Sequence, residues 1–157
     1  MTFEELYRGH AREVTRFAFY LAGDAAEAED IASETFVRAW AAEAPARARS
    51  LRAYLFAIAR NLHRRRHALA QRERPLDEAA EREGGDLEAE LAGRSELGGV
   101  LALLQALPEI DRAALLMRAF HGLPYEEIAA ALEISPSNAK VKVHRARARL
   151  ARMREMP

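Results

Sequence analysis

The chain of 157 residues has no cysteine, which excludes disulfide bridges and thiolate metal sites. It has no excess of either charge: 24 basic side chains balance 24 acidic ones, so the total does not advertise a polyanionic partner. Apolar runs are short, and none approaches the roughly 20 residues that a membrane-spanning helix needs; no membrane insertion is expected. The start, Met1-Thr2-Phe3-Glu4-Glu5, lacks the basic stretch and apolar core of a signal peptide. A reducing, cytoplasmic setting is the expectation. His10, His63, His67, His121 and His144 form no pattern of the H-E-x-x-H kind, and no phosphate-cradling glycine loop occurs. No metal, no cofactor and no enzymatic chemistry is expected. Strand-like alternation is absent too, so the fold class expected is all-α.

What is present is helical periodicity with clear start and stop signals. Thr2 with Glu5 makes a capping box for a helix that Gly23 ends. Asp24 with Glu27 opens a second helix, with Ala28, Ile31, Ala32, Thr35, Phe36, Ala39 and Trp40 on one face. Ala41 to Ser50, with Pro45, reads as a loop. Ser50 caps a third helix striped by Leu51, Tyr54, Leu55, Ile58, Ala59 and Leu62. Pro75 to Gly93 is rich in acids, includes Gly84-Gly85 and has few large apolar side chains. Such a composition cannot offset its ordering entropy and reads as a flexible linker. Beyond it, Val100, Leu101, Leu104 and Leu107 stripe one helix, and Ile110, Ala113, Ala114, Met117 and Phe120 line the next, which Gly122 ends. The expected architecture is two small helical domains, 1–72 and 96–157, joined by a flexible acidic linker, 73–95.

The last forty residues carry the clearest functional signal. The stretch from Pro124 to Pro136 reads as a short helix with Ile128, Ala129 and Leu132 on one face, and Ser135 can cap another helix whose first turn accommodates Pro136. The pair reads as a helix-turn-helix. In the second helix Ala139, Val143, Ala146 and Leu150 repeat at three- and four-residue intervals, leaving Lys140, Lys142, His144, Arg145, Arg147 and Arg149 outside. A small inner stripe under a basic outer face suits a helix that enters the DNA major groove. The neutral total therefore hides a basic, acidic, basic distribution. Arg60 to Arg74 holds six arginines and two histidines against Glu73 alone, and Lys140 to Arg154 holds no acid. Tyr54 and Phe56 ahead of the first cationic run could stack exposed bases while arginines hold phosphates. Equally, they could be core residues under a basic helix end that complements the macrodipole.

Four segments occur in order: Ala28-Glu29-Asp30-Ile31-Ala32-Ser33-Glu34-Thr35-Phe36-Val37-Arg38-Ala39-Trp40; Tyr54-Leu55-Phe56-Ala57-Ile58-Ala59-Arg60-Asn61; Leu107-Pro108 with Arg112; and Tyr125-Glu126-Glu127-Ile128-Ala129 followed by His144-Arg145-Ala146-Arg147. Each is moderately specific, and the ordered series is highly so. It closely resembles, over nearly the whole chain, the extracytoplasmic-function group of bacterial sigma factors, the small initiation subunits of RNA polymerase.

The resemblance implies residue roles. The second helix would dock on a coiled coil of the largest polymerase subunit through Asp30, Ser33, Glu34, Val37 and Arg38. The loop Ala41 to Ser50 and the third helix, with Tyr54, Phe56, Arg60, Asn61, Arg64 and Arg65, would hold the melted downstream promoter element. Ser137, Asn138, Lys140, Val141, His144 and Arg145 would meet the upstream element as duplex. Residues 1–72 would be sigma region 2 and 96–157 region 4. Partners implied are core RNA polymerase, promoter DNA and an anti-sigma factor. Three positions depart from the usual pattern: Ser33 for glutamine, Tyr54 for tryptophan and Glu133 for glycine in the turn. A dimeric repressor is a competing reading, but a dimerisation lobe has no need for aromatics ahead of an arginine cluster. A sigma mimic usually sits beside a receiver domain, and no βα pattern here could form one.

Overall fold

The computed structural model describes residues 1–73 and 96–155. The predicted linker, 73–95, lies outside the described residues except for Glu73, which ends a helix. Helix α1 (Phe3–Ala22) opens on the expected reciprocal box: the Thr2 hydroxyl accepts from the Glu5 N–H and the Glu5 carboxylate accepts from the Thr2 N–H. Two donors that a helix start leaves orphaned are thereby satisfied. Gly23 ends it at φ 76°, a left-handed conformation that glycine adopts without steric cost. Helix α2 (Ala25–Ala41) restarts at once, with the Asp24 carboxylate accepting from the Glu27 N–H at 2.9 Å.

The loop expected at 41–50 contains a single helical turn, α3 (Ala44–Arg47), entered through Glu43 at φ 56°. One turn is too short to leave a hydrophobic period. Helix α4 (Leu51–Glu73) follows, its Ser50 hydroxyl accepting from the Ala53 N–H at 3.3 Å. Phe17, Phe36 and Phe56 are fully buried between α1, α2 and α4, each stabilising the lobe by about 2–3 kcal/mol. Trp40 departs from the predicted inner stripe and is 40% exposed. Ala39 occupies the inward position, and the next residue points about 100° away from it.

The second lobe comprises α5 (Glu96–Gln105), α6 (Glu109–Leu115, continued by a π-helical turn over Leu116–Phe120), α7 (Tyr125–Leu132) and α8 (Pro136–Glu155). Val100 and Phe120, both expected inside, are about two-fifths exposed. The wider π turn alters the face that Phe120 presents, and its ring meets Tyr20 of the first lobe edge-on at 5.0 Å. Between α7 and α8, Glu133 adopts φ 56° and the Ile134 N–H donates to the Ala129 carbonyl at 3.0 Å. The turn thus keeps a left-handed helix end although it carries a side chain there. The Ser135 hydroxyl accepts from the Asn138 N–H at 3.0 Å, capping α8 as expected.

Buried side chains of both lobes belong to one continuous cluster. The lobes also meet where helix ends leave carbonyls unpaired. Gln105 Nε2 donates to the Tyr20 and Leu21 carbonyls at 3.1 and 3.3 Å, closing the end of α1. Arg112 donates to the carbonyls of Leu21 (2.5 Å), Leu104 (2.9 Å) and Leu107 (3.1 Å). Burial pushes the Arg112 guanidinium pKa down, and Glu109 partly counters it.

Candidate nucleic-acid interface

Helix α8 rests on α6 and α7 through Ala139, Val143 and Ala146, all at 0% exposure. Side chains this small let the helix axis lie close while its other face stays free. Ser137, Asn138, Lys140, Val141, His144, Arg147 and Arg149 are exposed, Val141 at 55%. Two of the predicted outward cations behave differently. Lys142 lies against the lobe, its Nζ 4.0 Å from Asp111. Arg145 remains half-exposed, yet its Nε and Nη2 donate to the two Asp111 oxygens at 3.0 and 3.1 Å. That bond and the Asp111 charge raise the Arg145 pKa.

On α4 the candidate residues divide. Tyr54, Asn61, Arg64 and Arg65 are exposed. Phe56, expected as an accessible stacking ring, is fully buried, 4.7 Å from Phe17 and 4.8 Å from His121, ring to ring. It is a core residue, packed on Phe17 of α1 and closed over by His121 of the second lobe. Arg60 is also covered, 5% exposed, and donates through Nε and Nη2 to both Glu109 oxygens at 2.8 Å. Beside this pair runs a cleft of about 480 Å³ lined by Arg60, His63, Arg64, His67, Gln71 and Glu109. Nearer the α1 side, Arg52 bonds both the Glu13 carboxylate and the His121 carbonyl. Burial lowers the His121 pKa more than neighbouring Glu13 raises it.

The α2 residues Asp30, Ser33, Glu34 and Val37 follow a spacing of three, one and three residues, so they share one helix face. Asp30, Ser33, Val37 and Arg38 are exposed and Glu34 is half-buried. Glu34 accepts from Arg38 at 2.9 Å, and Arg66 of α4 approaches Asp30 and Glu34, each at 3.8 Å. Adjoining Val37 is an aromatic patch that sequence reasoning missed: Phe3 stacks on Tyr7 and meets Trp40 edge-on at 6.0 Å. Its signal was available in the i, i+4 pair Phe3 and Tyr7 at the start of α1. Glu109 and Asp111 were missed as partners because acids in a first helical turn also serve the macrodipole.

Comparison with known proteins agrees with this geometry. The Sigma-70 region 2 family matches residues 6–73 and the Sigma-70, region 4 family matches 97–150, so each lobe is a sigma-factor lobe. The chain is 32% identical over 154 residues to the ECF RNA polymerase sigma factor SigE of Mycolicibacterium smegmatis, an alignment covering 95% of this chain and 60% of that protein. It is 35% identical over 138 residues to the RNA polymerase sigma-H factor of Pseudomonas aeruginosa, covering 79% and 71%. The fold is that of the sigma factor RpoE from Bartonella quintana, solved in complex with the anti-sigma factor NepR, with TM-score 0.76, 23% identity and coverage of 98% and 97%. The chain belongs to the extracytoplasmic-function group of RNA polymerase sigma factors. It spans about three-fifths of the length of the SigE protein it matches. Among the described residues, no helix is long and apolar enough to cross a membrane.

Proposed function

We propose that this chain is a cytoplasmic, non-enzymatic transcription initiation factor that directs core RNA polymerase to specific promoters and helps melt them. The observation that carries the reading is α8: a recognition helix seated on alanine and valine, with an acid-free outer face from Lys140 to Arg154, in a chain that also has a region 2 lobe. Residues 1–72 take the region 2 role, 73–95 connect, and 96–157 take the region 4 role. The α2 face of Asp30, Ser33, Glu34, Val37 and Arg38 meets polymerase. Tyr54, Asn61, Arg64 and Arg65 hold the melted element, and Arg60 joins them once Glu109 has left it. Ser137, Asn138, Lys140, Val141, His144 and Arg145 meet the upstream duplex.

An anti-sigma factor is the partner expected to restrain it, in line with the NepR complex of the similarly folded RpoE. With the lobes packed together, an inhibitor that wraps α2 and α8 from outside fits better than one inserted between them. The test is reconstitution with core polymerase on genomic fragments. Co-elution and transcription from discrete start sites are expected. Lys140→Ala should weaken upstream duplex binding, whereas Asn61→Ala should reduce permanganate-reactive thymines and spare the duplex. Identical defects for both variants in both assays would refute the division of roles.

A further inference from the structure

Among the described residues, Asp111 is the one carboxylate that is fully buried. A buried ionised carboxylate costs several kcal/mol unless charged donors meet it. Its charged partners come from α8: the Arg145 fork at 3.0 and 3.1 Å, and Lys142 one turn earlier at 4.0 Å. Around Arg145 the inner stripe of α8 is Ala139, Val143 and Ala146, all small, while the larger Leu150 and Met153 pack further along, so apolar interlocking near Arg145 defines the local rotation weakly. A carboxylate fixed in α6 and gripped from two positions of α8 sets that rotation.

The geometry of the fork adds a second consequence. Nε and one Nη2 proton face Asp111, which leaves the other end of the guanidinium, Nη1 with the remaining Nη2 proton, unused by that bond. Arg145 is half-exposed. A long side chain loses rotamer freedom when it binds a target, and one already held side-on loses less. We infer that Asp111 is a positioning residue that presets the Arg145 guanidinium for a paired acceptor on DNA, either the O6/N7 edge of a guanine or two oxygens of one phosphate. This rests on the reading of α8 as a DNA-contacting helix. Asp111 itself touches no DNA; it acts through Arg145.

The test uses the full chain in reconstituted holoenzyme, selecting from duplexes with a randomised upstream stretch at several salt concentrations. Wild type, Asp111→Asn, Arg145→Ala and the double variant are compared. If the acceptor is guanine, both single variants should lose about tenfold in preference at the same base position. If it is phosphate, both should weaken all duplexes alike and shallow the salt slope by about one. In either case, Asp111→Asn should add almost nothing on top of Arg145→Ala. Should Asp111→Asn fail to fold, Asp111→Glu keeps the charge but shifts the two oxygens that hold Arg145, and must weaken the same DNA preference or salt slope as Arg145→Ala. A variant that melts earlier yet selects the wild-type sequences with wild-type affinity and salt slope would reduce Asp111 to a stability role and overturn the inference. So would fully additive DNA effects of the two single variants. Failure of wild-type holoenzyme to enrich any sequence would overturn the DNA reading itself, and this inference with it.

Discussion

Replacing Glu109 by glutamine tests how the lobes are held. The carboxylate receives two bonds of 2.8 Å from a guanidinium whose side chain is only 7% exposed, while Glu109 itself is 27% exposed. Removing one partner of a fully buried pair costs about 3–5 kcal/mol, and an exposed pair contributes about 0–1. This pair lies between, so Glu109→Gln should cost about 2 kcal/mol. The reverse change, Arg60→Gln, leaves a carboxylate that water can reach and should cost only about 1 kcal/mol. The chain has an escape from the larger penalty, because α4 and α6 can part and let Arg60 hydrate. A shift of about 2 kcal/mol multiplies the open-to-closed ratio roughly thirtyfold. The absence of native cysteines allows Arg12→Cys and Glu126→Cys to carry a label pair, one on each lobe. Glu109→Gln should lengthen the distance between the labels or lower the urea midpoint. An unchanged distance together with an unchanged midpoint would refute the reasoning, and so would a larger cost for Arg60→Gln.

Gly23 sits at φ 76°, and a Cβ there would come within 3.1 Å of the Gln105 side chain. Gly23→Ala should cost about 1–2 kcal/mol and lower Tm by about 4 °C; an unchanged or raised Tm would count against it. Glu133→Gly relieves the left-handed strain of a non-glycine residue at φ 56°. It should stabilise by about 0.5–1 kcal/mol, read as a higher denaturant midpoint. His121 has a pKa below the ordinary 6.5 in the fold, so the unfolded chain binds the proton more readily. Its contribution is constant above pH 6.5 and erodes as pH falls from there towards the folded value. Urea titrations at pH 7.5 and 5.5 should lose less stability in His121→Phe than in wild type, and equal losses would show that other groups govern the slope.

Much of the fold was legible because helix starts and stops are local chemistry. Thr2 with Glu5, Asp24, Ser50 and Ser135 cap where the sequence pattern puts them, each from interactions within three residues. The inner stripe of α8 was legible for the same reason. Most of the site's misses share one cause, contact between segments far apart in the chain. Phe56 and Arg60 occupy helix positions compatible with exposure; Phe17 of α1 and His121 of the second lobe enclose the first, and Glu109 covers the second. Asp111 and Arg145 are separated by 34 residues, beyond any periodicity. Trp40 was placed one position too far along a stripe that Ala39 closes. The π turn at Leu116–Phe120 has no compositional signature that distinguishes it from an ordinary helix end.

Arg112 joins the two lobes in a manner indifferent to its neighbours' side chains. Each of its three acceptors is a main-chain carbonyl, at Leu21, Leu104 and Leu107, and every residue supplies one. Those three positions can therefore drift among apolar residue types without altering what the guanidinium grips. Arg112 has no such latitude. A lysine brings its donors from a single nitrogen and cannot span three separated oxygens. Variation around this junction should accordingly be uneven, with a tolerant ring of aliphatic positions around one that admits no substitute. The arrangement also leaves the positive charge without a bonded counterion, offset by peptide dipoles and, at longer range, by Glu109. An added carboxylate nearby would offer Arg112 a competing partner and draw it away from the carbonyls, loosening the seam it was introduced to strengthen.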